Sequence, residues 1–251
     1  MKKFISSLLA VAMTLSVGVT AFAANVTLPD DVKDTDWCAP AVKYVLQYKL
    51  MDNSAAAGDP VKVNFDVENP ITREVVAETI YRDAAARNLV SDTIYRDAAL
   101  TADTTGENGG MALKEAPDYA EIDESMLPGV SFCFYQNIMT GDENHKMKPT
   151  APITREEIAA VMQRYYKYLV KADPSIEDGM AIKEFKDYDA IQEWAREPIS
   201  FCVKTEMLKG NTVGTFEPAG NVTRAQAAQI MLNLENVFVE TPVLGLKLIS
   251  Q

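Results

Sequence analysis

The sequence predicts an all-α protein of three helix–loop–helix repeats packed together and joined by short linkers. Two observations carry this expectation. A Thr-Arg pair preceded by a β-branched residue occurs in "NPITREVV" (69–76), "APITREEI" (151–158) and "GNVTRAQA" (220–227). Apolar residues recur at helical spacing on either side of a polar loop each time.

Repeats organise the chain. Shifting the segment from Asp118 by 69 positions aligns it with itself without a gap. Asp118-Tyr119 meets Asp187-Tyr188, Ser131-Phe132-Cys133 meets Ser200-Phe201-Cys202, Gly141 meets Gly210, and Thr154-Arg155 meets Thr223-Arg224. A third, more divergent copy lies upstream. Trp37 stands 157 before Trp194, and Thr72-Arg73 stands 151 before Thr223-Arg224, so six extra residues fall around "NSAAAGDPVK". Copy one spans 26–88, copy two 116–172 and copy three 183–239. Linkers at 89–115 and 173–182 separate them, and a tail runs over 240–251. "TIYRDAA" occurs twice, at 79–85 and 93–99, and nothing physical explains the duplication.

The first helix of each copy shows Val42, Val45 and Leu46; Val130, Phe134 and Ile138; or Ile199, Val203 and Met207. The second shows Val76 and Ile80; Ile158, Met162 and Tyr165; or Ala227, Ile230, Met231 and Leu234. A unit of this size cannot bury such faces alone, whereas stacked copies can.

The opening "MKKFISSLLAVAMTLSVGVTAFAAN" has a basic start, an apolar run and a small-residue cleavage site at Ala21-Phe22-Ala23. It reads as a secretory signal peptide over 1–23. No other stretch is long and apolar enough to span a bilayer, so the mature chain has no expected transmembrane segment. The expectation is an exported protein.

The formal charge is −12, and removal of Lys2 and Lys3 takes it to −14. Nucleic acid is a poor partner for such a chain, because phosphate contacts need Lys and Arg patches. Any anion must be gripped locally. Cys38, Cys133 and Cys202 sit in apolar-periodic stretches and read as buried free thiols; a Cys133–Cys202 bridge is the alternative.

Thr at the start of each second helix is an N-cap. Glu157 and Gln226 complete capping boxes with Thr154 and Thr223, whereas Val75 leaves the box of Thr72 incomplete. Ile71, Ile153 and Val222 with Val76, Ile158 and Ala227 have the spacing of hydrophobic staples. Arg is not explained this way. At the positive end of the helix dipole a cation costs about 0.3–1 kcal/mol. Arg73, Arg155 and Arg224 therefore either pair with acidic side chains or help form an anion pocket with free N–H groups of the helix start.

Trp37 and Trp194 precede the first helix. They are either core residues or flat platforms for a sugar ring; copy two has Ser125 there instead. Gly141 and Gly210 close the first helix, with C-capping as the plain reading.

With these residues the chain resembles the S-layer homology domain family. Copy three is the best match, "FKDYDAIQEWAREPISFCVKTEMLKGNTVGTFEPAGNVTRAQ", with Gln226 for the usual Glu. Copy two, "PDYAEIDESMLPGVSFCFYQNIMTGDENHKMKPTAPITREE", lacks the Trp and has Met147 for Phe. Copy one keeps Trp37, Phe65 and "ITRE", but has Asn53 where Gly is expected. The resemblance implies a pseudo-threefold, mainly helical unit. Its grooves between repeats bind secondary cell-wall polysaccharide of bacteria, often through a pyruvylated sugar whose carboxylate meets the Arg. The residues implied are Arg224, Trp194, Asp187 and Gly210; Arg155, Asp118 and Gly141; and Arg73 and Trp37. The matching Asp of copy one is implied to be Asp30 or Asp34.

The leading expectation is thus non-catalytic attachment to the cell wall, with secretion to the wall or S-layer. An alternative is a structural or protein-interaction protein of the surface that self-assembles or binds another protein, since the resemblance leads one to expect a large cargo domain. An enzyme is the weakest reading. The single histidine, His145, stands in the loop "GDENHK", no Ser/His/Asp arrangement can be placed, and no cofactor motif or metal-ligand spacing occurs.

Overall fold

The computed structural model describes residues 26–56, 59–90, 111–171 and 179–240. The signal peptide, most of both linkers, the second "TIYRDAA" and nearly all of the tail lie outside the described residues.

The described chain is helix-rich. Each copy contributes a short first helix and a longer second one: α1 (Ala39–Gln47) and α2 (Arg73–Ala86), α3 (Leu127–Tyr135) and α4 (Arg155–Val170), α5 (Glu193–Lys204) and α6 (Arg224–Glu240). The extra residues of copy one form an antiparallel hairpin, β1 (Ser54–Ala56) with β2 (Asp59–Asn64). Single 3₁₀ turns at Tyr119–Glu121 and Tyr188–Ala190 lead into α3 and α5.

The second helices start where the capping pattern places them. Thr154 Oγ1 accepts from Glu157 N while Thr154 N donates to the Glu157 carboxylate. Thr223 and Gln226 repeat this reciprocal pair. Copy one has no box: Val75 offers no acceptor for Thr72 N, and Thr72 Oγ1 makes no cap bond either.

The first helices end earlier than their apolar pattern suggests, before Ile138 and Met207. The left-handed residue past each end is Lys49, Asn137 or Glu206, not glycine. Leu50 N donates to Val45 O, and Ile138 N to Cys133 O, closing the wide carbonyl-capping turn of a Schellman end. Gly141 and Gly210 lie beyond this turn and are not C-caps.

Packing crosses the copies. The second helix of one copy lies against the first helix of another: α2 on α3, α4 on α5, and α6 on α1. Helix-start strands join the same way. Ile153 N donates to Ile71 O, Ile71 N to Val222 O, and Val222 N to Ile153 O, at 2.9–3.0 Å. These three bonds close a ring, which explains the β-branched residue before each Thr: extended backbone suits it. Ile71, Ile153 and Val222 are all buried. Ile71, Val76, Ile158, Met162, Ala227 and Met231 then meet around one small void.

Gly129 permits the α2–α3 contact. A Cβ there would lie 2.4 Å from Glu78 Cα. Two backbones must separate for any side chain to fit, so Gly129→Ala is expected to cost about 1–3 kcal/mol in a urea titration.

The three cysteines are free and buried, as the first reading had it. Cys133 and Cys202 donate to Ala77 O and Ala159 O at 3.7 and 3.5 Å. Burial pushes both thiols far up. A charged cluster is also buried: Arg87 binds Asp83 and Glu235 at 2.8 Å, and Tyr165 donates to Asp83.

Candidate functional site

The three helix-start arginines occupy equivalent positions and do the same thing. Arg73 donates from Nε to Met147 O and from Nη2 to Thr140 O, at 2.9 and 3.0 Å. Arg155 reaches Phe216 O and Lys209 O at 2.7 and 2.8 Å. Arg224 reaches Phe65 O and Asp52 O at 2.7 and 2.6 Å. Each guanidinium thus crosses to the polar loop of another copy and satisfies two of its carbonyls. Arg155 and Arg224 also lie over the rings of Phe216 and Phe65. Met147 deprives Arg73 of such a ring. Burial lowers the pKa of all three, and for Arg73 the charge of Glu157 opposes this.

Neither sequence reading of the arginines anticipated this. Among the described residues acid pairing is confined to Arg73, whose Nη1 lies 3.7 Å from Glu157. The first two N–H groups of each helix start are not free either. Those of Arg73 and Glu74 donate to Ala151 O and Pro149 O, those of Arg155 and Glu156 to Gly220 O and Pro218 O, and those of Arg224 and Ala225 to Asn69 O and Val67 O. The dipole cost of an N1 cation is offset because the charge leaves the helix end and meets carbonyl dipoles.

The aspartates hold the same loops from within. Asp118 accepts from Met147 N and Lys148 N, at 2.9 and 2.7 Å. Asp187 accepts from Phe216 N and Glu217 N, at 2.8 and 2.7 Å. In copy one this position is Asp31, which accepts from Phe65 N and Asp66 N, both at 2.7 Å. The expected Asp30 and Asp34 are elsewhere: Asp30 binds Val63 N and Asp34 pairs with Lys43. One residue fewer separates Asp31 from Trp37 than Asp187 from Trp194, which displaced the alignment.

Gly141 and Gly210 let the loop close on itself. A Cβ at Gly210 would lie 2.3 Å from the Phe185 ring, and one at Gly141 would lie 3.0 Å from the His145 backbone. The tryptophans are not core: Trp37 is 60% exposed and Trp194 53%. Both indoles are open to solvent.

One groove of about 410 Å³ brings residues of all three copies together. Arg73 comes from copy one; Thr140, Gly141, Asp142, Lys146 and Lys148 from the loop of copy two; Glu157, Ala160, Val161 and Arg164 from α4; and Trp194 from copy three. Of the predicted residues it unites Arg73, Gly141 and Trp194. Asp118 stands behind its loop, and the remaining residues, Arg155, Asp187, Gly210, Arg224 and Trp37, lie away from it. Lys148 pairs with Asp142 at 2.9 Å, holding the Asp142 carboxyl down to about 2 with help from the N–H of Lys146. Sequence reading missed Lys146, Lys148 and Arg164. Arg164 had a legible signal: Glu157, Ala160 or Val161, and Arg164 follow one helical face.

A family model described as "S-layer homology domain" matches residues 117–159 and 184–228. These two segments are S-layer homology domains. An endoglucanase of Bacillus sp. (strain KSM-635) is 25% identical over 240 residues, covering 93% of this chain and 22% of that protein. An amylopullulanase of Thermoanaerobacterium thermosulfurigenes is 31% identical over 105 residues, covering 42% and 5%. Cell surface glycoprotein 1 of Acetivibrio thermocellus is 30% identical over 116 residues, covering 45% and 5%. The chain spans less than a quarter of the length of each of these relatives. The matched S-layer homology domains contain Asp118, Gly141 and Arg155, and Asp187, Trp194, Gly210 and Arg224. Copy one and Arg164 lie outside the matched segments, although the loop of copy one is held by Asp31 and Arg224 as the others are held by theirs.

Proposed function

We propose that the protein attaches non-covalently to the bacterial cell wall, without catalysis, by binding secondary cell-wall polysaccharide between its repeats. In this reading the three copies act as one pseudo-threefold unit, exported by the signal peptide and resident at the wall or S-layer. The observation that carries it is the groove that brings Arg73 of copy one against Gly141 and the exposed Trp194, both of which lie in S-layer homology domains. An indole face half open to solvent offers a sugar ring an apolar platform. The cations beside it suit an acid such as the ketal carboxylate of a pyruvylated sugar.

The test is co-sedimentation of the secreted chain with purified wall sacculi. Trp194→Ala should lower retention about tenfold or more while leaving the urea midpoint unchanged, because the side chain is exposed. Full retention by a folded Trp194→Ala protein would remove this groove from the binding surface.

A further inference from the structure

The three copies bind their loops alike but do not present the same charges. The groove of Arg73 and Trp194 is lined by Arg73, Arg164, Lys146 and Lys148 against Asp142 and Glu157. Lys148 is taken by Asp142, and Arg73 stands near Glu157. Among the described residues, Lys146 and Arg164 have no carboxylate partner. Arg164 is exposed on α4, yet partial burial and the facing charge of Arg73 both lower its pKa. Two guanidiniums sharing one groove repel each other until an anion arrives.

The matching positions elsewhere are spent internally. Around Arg155, Arg164 is replaced by Asn233, whose amide donates to Met207 O and accepts from Gln229. Lys209 is paired with Glu206 there, and the counterpart of Lys148 is the acid Glu217. Around Arg224, the counterpart of Arg164 is Arg82, held at 2.7 Å by Asp52 and 2.8 Å by Glu78. Ser125 replaces Trp194 there and donates to Asp123.

We propose that one groove per chain, the one bounded by Arg73 and Trp194, takes an acidic sugar, and that Arg164 is the residue that meets its carboxylate. Arg73 is committed to the loop carbonyls and fixes the groove wall. Arg164, with Lys146 beside it, supplies the free charge and discriminates an acidic sugar from a neutral one. This rests on the wall-binding reading above.

The test is calorimetric titration of the full secreted chain with a pyruvylated disaccharide and with the same disaccharide lacking the ketal acid. The expected stoichiometry is one. Arg164→Gln should weaken the acidic disaccharide about tenfold or more and leave the neutral one unchanged, and Arg164→Lys should recover part of the loss. Lys209→Gln, beside the groove of Arg155, should change neither. An exposed Arg164 is not needed for folding, and an unchanged urea midpoint of Arg164→Gln confirms that binding alone is read. A stoichiometry of two or three, equal affinity of Arg164→Gln for the acidic sugar, or no binding of either sugar overturns the proposal. Sacculus co-sedimentation then decides separately: retention shows that the wall-binding reading survives with a different ligand or groove, and its loss shows that both fail.

Discussion

Arg73→Ala should lower the unfolding free energy by about 3–5 kcal/mol, because two charge-assisted hydrogen bonds are lost and two carbonyls are left without their donor. The side chain is well buried, and its partners Met147 O and Thr140 O belong to another copy. Urea denaturation followed by circular dichroism reads the effect. Lys in its place should recover little, since one ammonium cannot reproduce a rigid fork aimed at two carbonyls. A wild-type midpoint for Arg73→Ala would show that the inter-copy bonds contribute nothing to stability. This has a consequence for binding studies. Loss of wall binding in Arg73, Arg155 or Arg224 variants would reflect loosened loops as much as lost ligand contact. Trp194 and Arg164 are the positions where binding can be tested without that ambiguity.

Arg87→Leu should be comparably damaging, about 3–5 kcal/mol, by leaving Asp83 and Glu235 buried without their cation. Arg87 and Asp83 side chains are both fully buried, and Tyr165 adds its hydroxyl to Asp83. Buried carboxylates without a cation have raised pKa values in the folded state. The variant should therefore recover stability as the pH falls and both groups become neutral. Replacing Arg87, Asp83 and Glu235 together by Leu, Leu and Met should restore much of the loss, because no uncompensated charge remains. Equal stability of the single and triple variants at pH 7 would contradict this account.

Much of the helical frame was legible. The Thr-Arg starts, the boxes with Glu157 and Gln226, and the missing box at Val75 are local features, decided within one turn. The apolar stripes identified residues that are buried, including Val42, Val130, Ile199, Met162 and Leu234. Where the first helices stop was not legible, because Lys49 and Glu206 adopt a left-handed conformation that favours glycine. The hairpin of copy one appeared in the sequence only as surplus length.

The candidate site was legible in its residue types and not in their roles. Sequence by itself determined where helices begin, which faces are apolar, and that an arginine recurs where the helix dipole disfavours it. Those are matters of backbone geometry and nearest neighbours along the chain. Only the tertiary structure decided that Arg224 serves Phe65 and Asp52, that Asp31 clamps the loop of copy one, and that Arg164 faces the same groove as Arg73 and Trp194. Hydrogen bonding and Coulomb attraction act through space over a few ångströms. Which groups come that close depends on how distant copies pack, and no local pattern in the chain records it.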